Sequence, residues 1–274
     1  MPCAYKKLIY VKTKDQKSSG FMEFNCGKCV WCKLQRAKEW SVRMLCEYAD
    51  FKGNGMFLTL TYDDKKSNAP FYNTLVKKDF QLFIKRLRKK YKNLKYLMCG
   101  EYGEKNYRPH YHCILLGVNL RDKNIVNEAW NLGKCYFGYV EEKSIMYCVK
   151  YLLKGYNKES QAFLDLKNPI HEKPYMDMSK GLGKQYALMN EERLKKEMSI
   201  VTVNGTKRSL PRYYRKKLNI IYDDYAKIFE EANKKEKERK EKLGLSDIEY
   251  YELVKNESRQ QELNIRRITD MKSR

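Results

Sequence analysis

Two β-forming runs, Lys95–Glu101 and His110–Leu116, follow each other with only a polar loop holding Gly103 and Pro109 between them. So short a connection suits an antiparallel hairpin, because parallel neighbours need a long crossover. Helical and strand-like runs surround the pair. Met56–Tyr62 is rich in β-formers. Val76–Tyr91 carries apolar residues at helical spacing (Val76, Phe80, Phe83, Ile84, Leu87 and Tyr91). A short helix is expected around Ile125–Trp130, then a strand at Tyr136–Val140. A helix over Glu142–Lys154 closes at Gly155, a suitable C-cap residue. The β-α-β-β-α-β-α order predicts an α+β fold with a mainly antiparallel central sheet flanked by helices. It does not suit a doubly wound parallel sheet.

Three segments follow from this pattern. Residues 1–52 hold a cysteine cluster and a helix in which Leu34, Ala37, Trp40, Ser41, Met44, Leu45 and Tyr48 recur at helical spacing, broken by Gly53 and Gly55. Residues 53–190 hold the sheet, with a loop-like stretch at Asn168–Gly183. Residues 191–274 form a basic, charged, largely helical C-terminal region.

Charge points to the partner. Lysine and arginine total 57 against 34 aspartates and glutamates, a formal charge of +23. A folded protein so basic suits a polyanion, nucleic acid first. The longest nearly apolar run, Cys113–Val118, falls far short of the roughly 20 residues of a membrane span. The N-terminal MPCAYKKLIYVKTK has no apolar signal core. Nine cysteines is an odd count, which suits a reducing compartment. The expectation is a soluble, intracellular protein without a membrane partner.

The excess charge is local. Residues 230–242 hold six basic and five acidic residues and read as a solvated helix. Lys77–Lys95 instead holds nine basic residues and one acidic, and Asn204–Asn219 six and none, with Tyr213 and Tyr214 among them. Basic plus aromatic residues suit phosphates and stacked bases. Lys85, Arg86, Arg88, Lys207, Arg208 and Arg212 are the candidate DNA contacts.

Two of only three histidines sit as His110-Tyr111-His112 on a strand-like run. Period 2 places both imidazoles on one face. In the hairpin Glu101 lies opposite His110, on the same side. Two imidazoles and a carboxylate leave metal positions open and suit Mg²⁺ or Mn²⁺, with Zn²⁺ allowed by ligand type. Glu104 is the rival third ligand. The alternative is a pair of hydrogen-bonded core histidines.

On the helix after Glu142, Ile145, Cys148, Val149 and Leu152 form an apolar stripe. Tyr147 and Tyr151 neighbour each other on another face, with Lys150 and Lys154 beside them. A phenol near cations and a metal-bound phosphate is a nucleophile, because positive groups favour the phenolate. The alternative is two amphipathic tyrosines over the core.

Cys26-x2-Cys29-x2-Cys32 offers three closely spaced thiolates, and a structural Zn²⁺ takes four ligands. Cys3 precedes the cluster and is the expected fourth. The remaining cysteines lie in apolar runs and read as small core residues.

These motifs resemble a known family. RPHYHCILLG (108–117) is similar to the metal motif of HUH endonucleases, FLTLTYDD (57–64) to their first motif, and YCVKYLLK (147–154) to the paired-tyrosine motif of rolling-circle initiators. CGKCVWCKLQRAKEW (26–40), GEYG (100–103), GLGKQY (181–186) and LPRYY (210–214) resemble replication initiators of microvirus-type, gokushovirus-like single-stranded DNA phages. The resemblance implies the HUH fold, a ferredoxin- or RRM-like sheet, with a cysteine-rich metal knob at its N-terminal side. It implies a nickase-ligase: Mg²⁺ or Mn²⁺ on His110, His112 and Glu101 holds the scissile phosphate, and Tyr147 or Tyr151 attacks it. The products are a 5′-phosphotyrosyl link and a 3′-OH primer. Lys150 and Lys154 steady phosphate charge or help move the phenolic proton. The implied partners are the phage DNA origin, single-stranded or supercoiled, and host helicase and polymerase, in the cytoplasm of a bacterial host. Two rival readings are a non-catalytic zinc-containing nucleic-acid-binding protein and another HUH enzyme, such as a transposase or relaxase.

Overall fold

The computed structural model describes residues 3, 5–11, 20–63, 73–103, 107–149, 172–201, 205–220 and 234–271. The chain divides into two compact units. One is Ala37–Leu218; the other joins Met1–Arg36 and Asn219–Arg274. Among the described residues, no helix is long and apolar enough to cross a membrane.

In the smaller unit, β1 (Lys7–Val11) and β2 (Gly20–Phe24) pair antiparallel. The sequence reading placed no strands there. Two C-terminal helices cover residues 234–243 and Asp247–Met271. The second begins with a capping box: Ser246 N–H and its hydroxyl both donate to Glu249 Oε2, at 2.8 and 2.6 Å.

The larger unit is built on β3 (Gly55–Tyr62), β4 (Lys95–Tyr102), β5 (Pro109–Leu116), β6 (Gly133–Gly138) and β7 (Tyr175–Met178). Their order is β6-β3-β5-β4-β7, and every neighbouring pair is antiparallel. The α+β expectation, with an antiparallel sheet flanked by helices, is met. The hairpin register is also as expected, with Glu101 opposite His110 and Cys99 opposite His112.

Alternation sorts side chains onto two faces. On one, Leu58, Leu60, Tyr111, Cys113 and Met98 pack against α2 (Lys77–Lys90), which buries Phe80, Phe83, Ile84 and Leu87. Trp130, just past α3 (Lys123–Ala129), is fully buried here and donates Nε1–H to Thr61 O at 3.0 Å. On the other face Leu97, Cys99, Ile114 and Leu116 pack with Ala37 and Met44 of α1 (Val30–Asp50) and with Ile145, Cys148 and Val149 of α4 (Glu142–Val149).

Two expectations need correction. Strand β6 starts at Gly133, ahead of the expected Tyr136. Gly133 permits this, since a Cβ there would stand 1.9 Å from Thr61 O. The stretch read as loop, Asn168–Gly183, contains β7. Its four residues YMDM show no clear alternation, and pairing with β4 specifies the strand. Tyr96 Oη donates to Asp177 Oδ2 at 2.8 Å, and Tyr96 N–H to Ser179 Oγ at 3.0 Å.

Three distant motifs meet at Arg43. Its guanidinium lies between the rings of Trp40 and Tyr213, 3.9 and 3.8 Å from their centroids. Its Nε and Nη2 donate to Leu182 O at 3.1 and 3.0 Å. Buried Glu47 accepts from Gly183 N–H and from the Lys95 ammonium.

Candidate active site

Cross-strand pairing gathers the polar residues of the second sheet face into rows. Tyr136, Thr59, His112 and Cys99 form one; Lys134, Thr61, His110 and Glu101 form the next. Helix α4 crosses nearby and adds Tyr147. Two side chains meet at the Glu101 carboxylate: His112 Nε2 lies 2.7 Å from Glu101 Oε1, and Tyr147 Oη donates to the same oxygen at 2.9 Å. Glu101 and His112 are buried, 7% and 9% exposed, so each needs the partners it has.

The histidines are oriented from behind. His110 Nδ1 lies 2.7 Å from Arg108 O, and a carbonyl only accepts, so Nδ1 carries the proton and Nε2 the lone pair. His112 Nδ1 lies 2.9 Å from Thr59 Oγ1. Their rings are nearly parallel, with centroids 6.3 Å apart. Phe57 stacks on the other side of His112 at 6.0 Å, and Tyr147 meets that imidazole edge-on at 4.7 Å. Burial pushes His110 below the usual imidazole range. Burial, then the Glu101 charge, pushes the Tyr147 phenol above its ordinary range.

A divalent cation fits the donor types here. Each histidine has its Nδ1 engaged by a neighbour, which leaves Nε2 as the nitrogen to meet a metal; that of His112 here meets Glu101 Oε1 instead. His112 and Glu101 already bring two ligand atoms together, while His110 stands beside them on the shared face.

The four cysteines draw closer still. Among the described residues, Cys3, Cys26, Cys29 and Cys32 are the group of metal-ligating side chains whose ligand atoms all lie within 4.8 Å of one another. Cys3 Sγ is 3.7 Å from Cys29 Sγ, and Cys26 Sγ is 3.8 Å from Cys32 Sγ. A tetrahedral zinc with Zn–S bonds of about 2.3 Å requires sulfur–sulfur edges of about 3.8 Å. Cys29 and Lys28 N–H donate to Cys26 Sγ at 3.3 and 3.4 Å. Burial opposes the thiolate, but these donors outweigh it and hold the Cys26 thiol at about 6. The cluster can hold a metal such as zinc.

Other predicted residues lie elsewhere. Tyr151, Lys150 and Lys154 fall outside the described residues, as does the rival ligand Glu104. Lys85, Arg86 and Arg88 ride on α2, on the sheet face opposite His110 and His112, so they are not brought to the Glu101 carboxylate. Arg86 Nη1 donates to Ala129 O at 2.8 Å. Arg208 pairs with Glu142, at the start of α4, at 3.0 Å. Lys207 and Arg212 are exposed. Tyr214, read in the sequence as a base-stacking residue, is fully buried. Sequence reasoning passed over Thr59 and Phe57. Both belong to the β-rich run FLTLTYDD, but only the register of β3 against β5 reveals which face they share.

A family model described as replication-associated protein ORF2/G2P matches residues 55–156, which include Thr59, Glu101, both histidines and Tyr147. The replication-associated protein ORF2 of Spiroplasma virus 4 is 31% identical over 243 residues, covering 80% of this chain and 74% of that protein. The replication-associated protein VP4 of Bdellovibrio phage phiMH2K is 29% identical over 231 residues, covering 76% and 71%. The replication-associated protein ORF4 of Chlamydia phage 1 is 27% identical over 240 residues, covering 77% and 58%. No solved structure matches the chain. The chain belongs to the family of phage replication-associated proteins, the microvirus-like initiators of rolling-circle replication.

Proposed function

We propose that the chain is an HUH endonuclease that nicks and rejoins single-stranded phage DNA through a tyrosine. The observation that carries this reading is the convergence of Tyr147 and His112 on one oxygen of Glu101. His110, His112 and Glu101 would hold Mg²⁺ or Mn²⁺, which supplies Lewis-acid polarisation of the scissile phosphate. Tyr147 Oη attacks phosphorus, and the phosphorus–O3′ bond breaks. Glu101 Oε1 accepts the phenol hydrogen in the metal-free site; once the cation takes that oxygen, the phenolic proton would pass to solvent. The 3′ oxygen takes up a proton and leaves as a primer hydroxyl, and the 5′ phosphate stays on tyrosine. Tyr151 serves the second attack, which closes the circle, and Lys150 and Lys154 balance phosphate charge. The phosphotyrosyl bond conserves the energy needed for joining.

The cysteine cluster is a structural zinc site in this reading. The DNA partner is the phage origin, engaged in the host cytoplasm together with host helicase and polymerase. Incubation with origin single-stranded DNA and Mn²⁺ tests the proposal. A denaturation-resistant protein–DNA adduct is the expected product. Its absence favours a non-catalytic zinc-containing DNA-binding protein.

A further inference from the structure

On the sheet face that carries the histidines, the polar rows continue outward to an edge. Strand β6 ends the sheet order, and its residues on this face are Lys134, Tyr136 and Gly138. Register fixes the direction. Tyr136 pairs with Thr59, whose hydroxyl lies against His112, and paired residues point to one side. Gly138 agrees, since a Cβ there would meet Phe57 Cδ1 at 3.3 Å, and Phe57 stacks on His112.

Exposure changes along the row. Cys99 and His112 are buried, Thr59 is half-buried, and Tyr136 is 59% exposed. Lys134 beside it is also exposed. Tyr139, just past the strand, is 75% exposed. Strands stand about 4.8 Å apart, so Tyr136 lies two strands, or about 10 Å, from the His112 backbone. An aromatic ring and an ammonium on an open edge, in line with a phosphate-binding group, make up the composition of a single-strand platform.

We propose that Tyr136, with Lys134 beside it, stacks a base of the single strand next to the phosphate held at the His-Glu-Tyr site. This rests on the nicking reading for what that site holds, and adds where the flanking nucleotide goes. The tyrosine ring takes the base face, which every base offers, and Lys134 meets a neighbouring phosphate. Tyr136 is therefore a positioning residue.

The test measures binding of the zinc-loaded full chain, with no Mg²⁺ or Mn²⁺ added and no chelator, to two fluorescein-labelled probes of equal length. One is oligothymidylate; the other is a phosphodiester chain of abasic sugars, with the same charge and no bases. Tyr136→Ala should weaken oligothymidylate binding about tenfold, the order of one lost base–aromatic stack, and leave the abasic chain unchanged. Tyr136→Phe should bind both as wild type does. Lys134→Ala should weaken both probes alike. Equal losses on both probes for Tyr136→Ala, or no loss on either, overturn the stacking role. Adduct formation by the wild-type chain with Mn²⁺ is read separately, so failure of nicking and failure of stacking remain distinguishable.

Discussion

Tyr147 Oη and His112 Nε2 share one acceptor, Glu101 Oε1, at 2.9 and 2.7 Å. In this arrangement the phenol stays protonated, because its hydrogen is bound to a carboxylate and the ring is largely withdrawn from water. A cation attracted to Glu101 competes for that oxygen. In the proposed mechanism, binding of the cation and activation of the nucleophile would therefore act on the same carboxylate.

The first prediction concerns the tyrosines. Tyr147→Phe keeps the ring that packs edge-on against His112 and Phe57 and removes only the oxygen. On the helix that the sequence predicts over Glu142–Lys154, Tyr147 and Tyr151 would stand one turn apart, about 5–6 Å at Cβ, and two phenols so spaced can reach one phosphate in turn. Tyr147→Phe and Tyr151→Phe should each retain some adduct in denaturing gels, and the double variant none. An adduct in the double variant would place the nucleophile outside this helix.

The second concerns the metal ligands. His110→Ala, His112→Ala and Glu101→Gln should each abolish cleavage and weaken Mn²⁺ binding in titration calorimetry. Glu101→Gln keeps the shape of the side chain and loses its charge, so the thermal midpoint should move little. Full cleavage by both histidine variants would remove the metal role from this face.

The third concerns the cysteines. Metal binding in such a cluster is also folding energy. Serine at Cys3, Cys26, Cys29 or Cys32 should release about one equivalent of zinc and lower the thermal midpoint. Elemental analysis of protein purified without chelator checks the first, and a thermal melt of the same samples the second. Wild-type protein free of zinc would end the assignment, and full zinc in Cys3→Ser would end only that ligand's part in it.

Much of this was legible in the sequence because the central elements are regular. Alternation in β4 and β5 put His110, His112 and Glu101 on one face, and the short loop fixed their register. Helical spacing likewise announced α2 and the buried stripe of α4. What escaped depends on partners far away in sequence. Strand β7 exists because β4 offers it an edge, so its own four residues carry little signal. Lys85, Arg86 and Arg88 were legible as a basic cluster, but not the sheet face they lie on, which the packing of α2 sets opposite the histidines. Tyr214 looked available for stacking, but its ring fills the space that Gly183 leaves.

That last contact gives a fourth prediction. Gly183 has φ of 73°, and a Cβ there would stand 2.0 Å from Tyr214 Oη. Gly183→Ala must strain the backbone and displace a buried ring. It should cost about 2 kcal/mol or more, read by urea unfolding. Gly205 also has positive φ, 71°, but nothing lies within 4 Å of a Cβ there. Gly205→Ala should therefore cost less, and equal losses would put the whole effect on the backbone.

The fifth prediction isolates the residue behind the ligand. Thr59 pairs with His112 across β3 and β5, and its hydroxyl lies 2.9 Å from Nδ1, on the ring edge away from Glu101. With a metal on Nε2, Nδ1 must carry the proton and needs an acceptor. Thr59→Val keeps the β-branched shape that suits β3 and leaves that N–H without its partner. Ligand-orienting partners of this kind typically contribute about 10–100-fold in metal affinity or activity. Thr59→Val should therefore raise the Mn²⁺ concentration needed for half-maximal adduct formation, with little change in thermal midpoint. Thr59→Ser, which restores the oxygen, should recover most of the loss. A variant as active as wild type at limiting Mn²⁺ would mean that the hydroxyl does not orient His112, and that packing against Phe57, Tyr147 and His110 holds the ring.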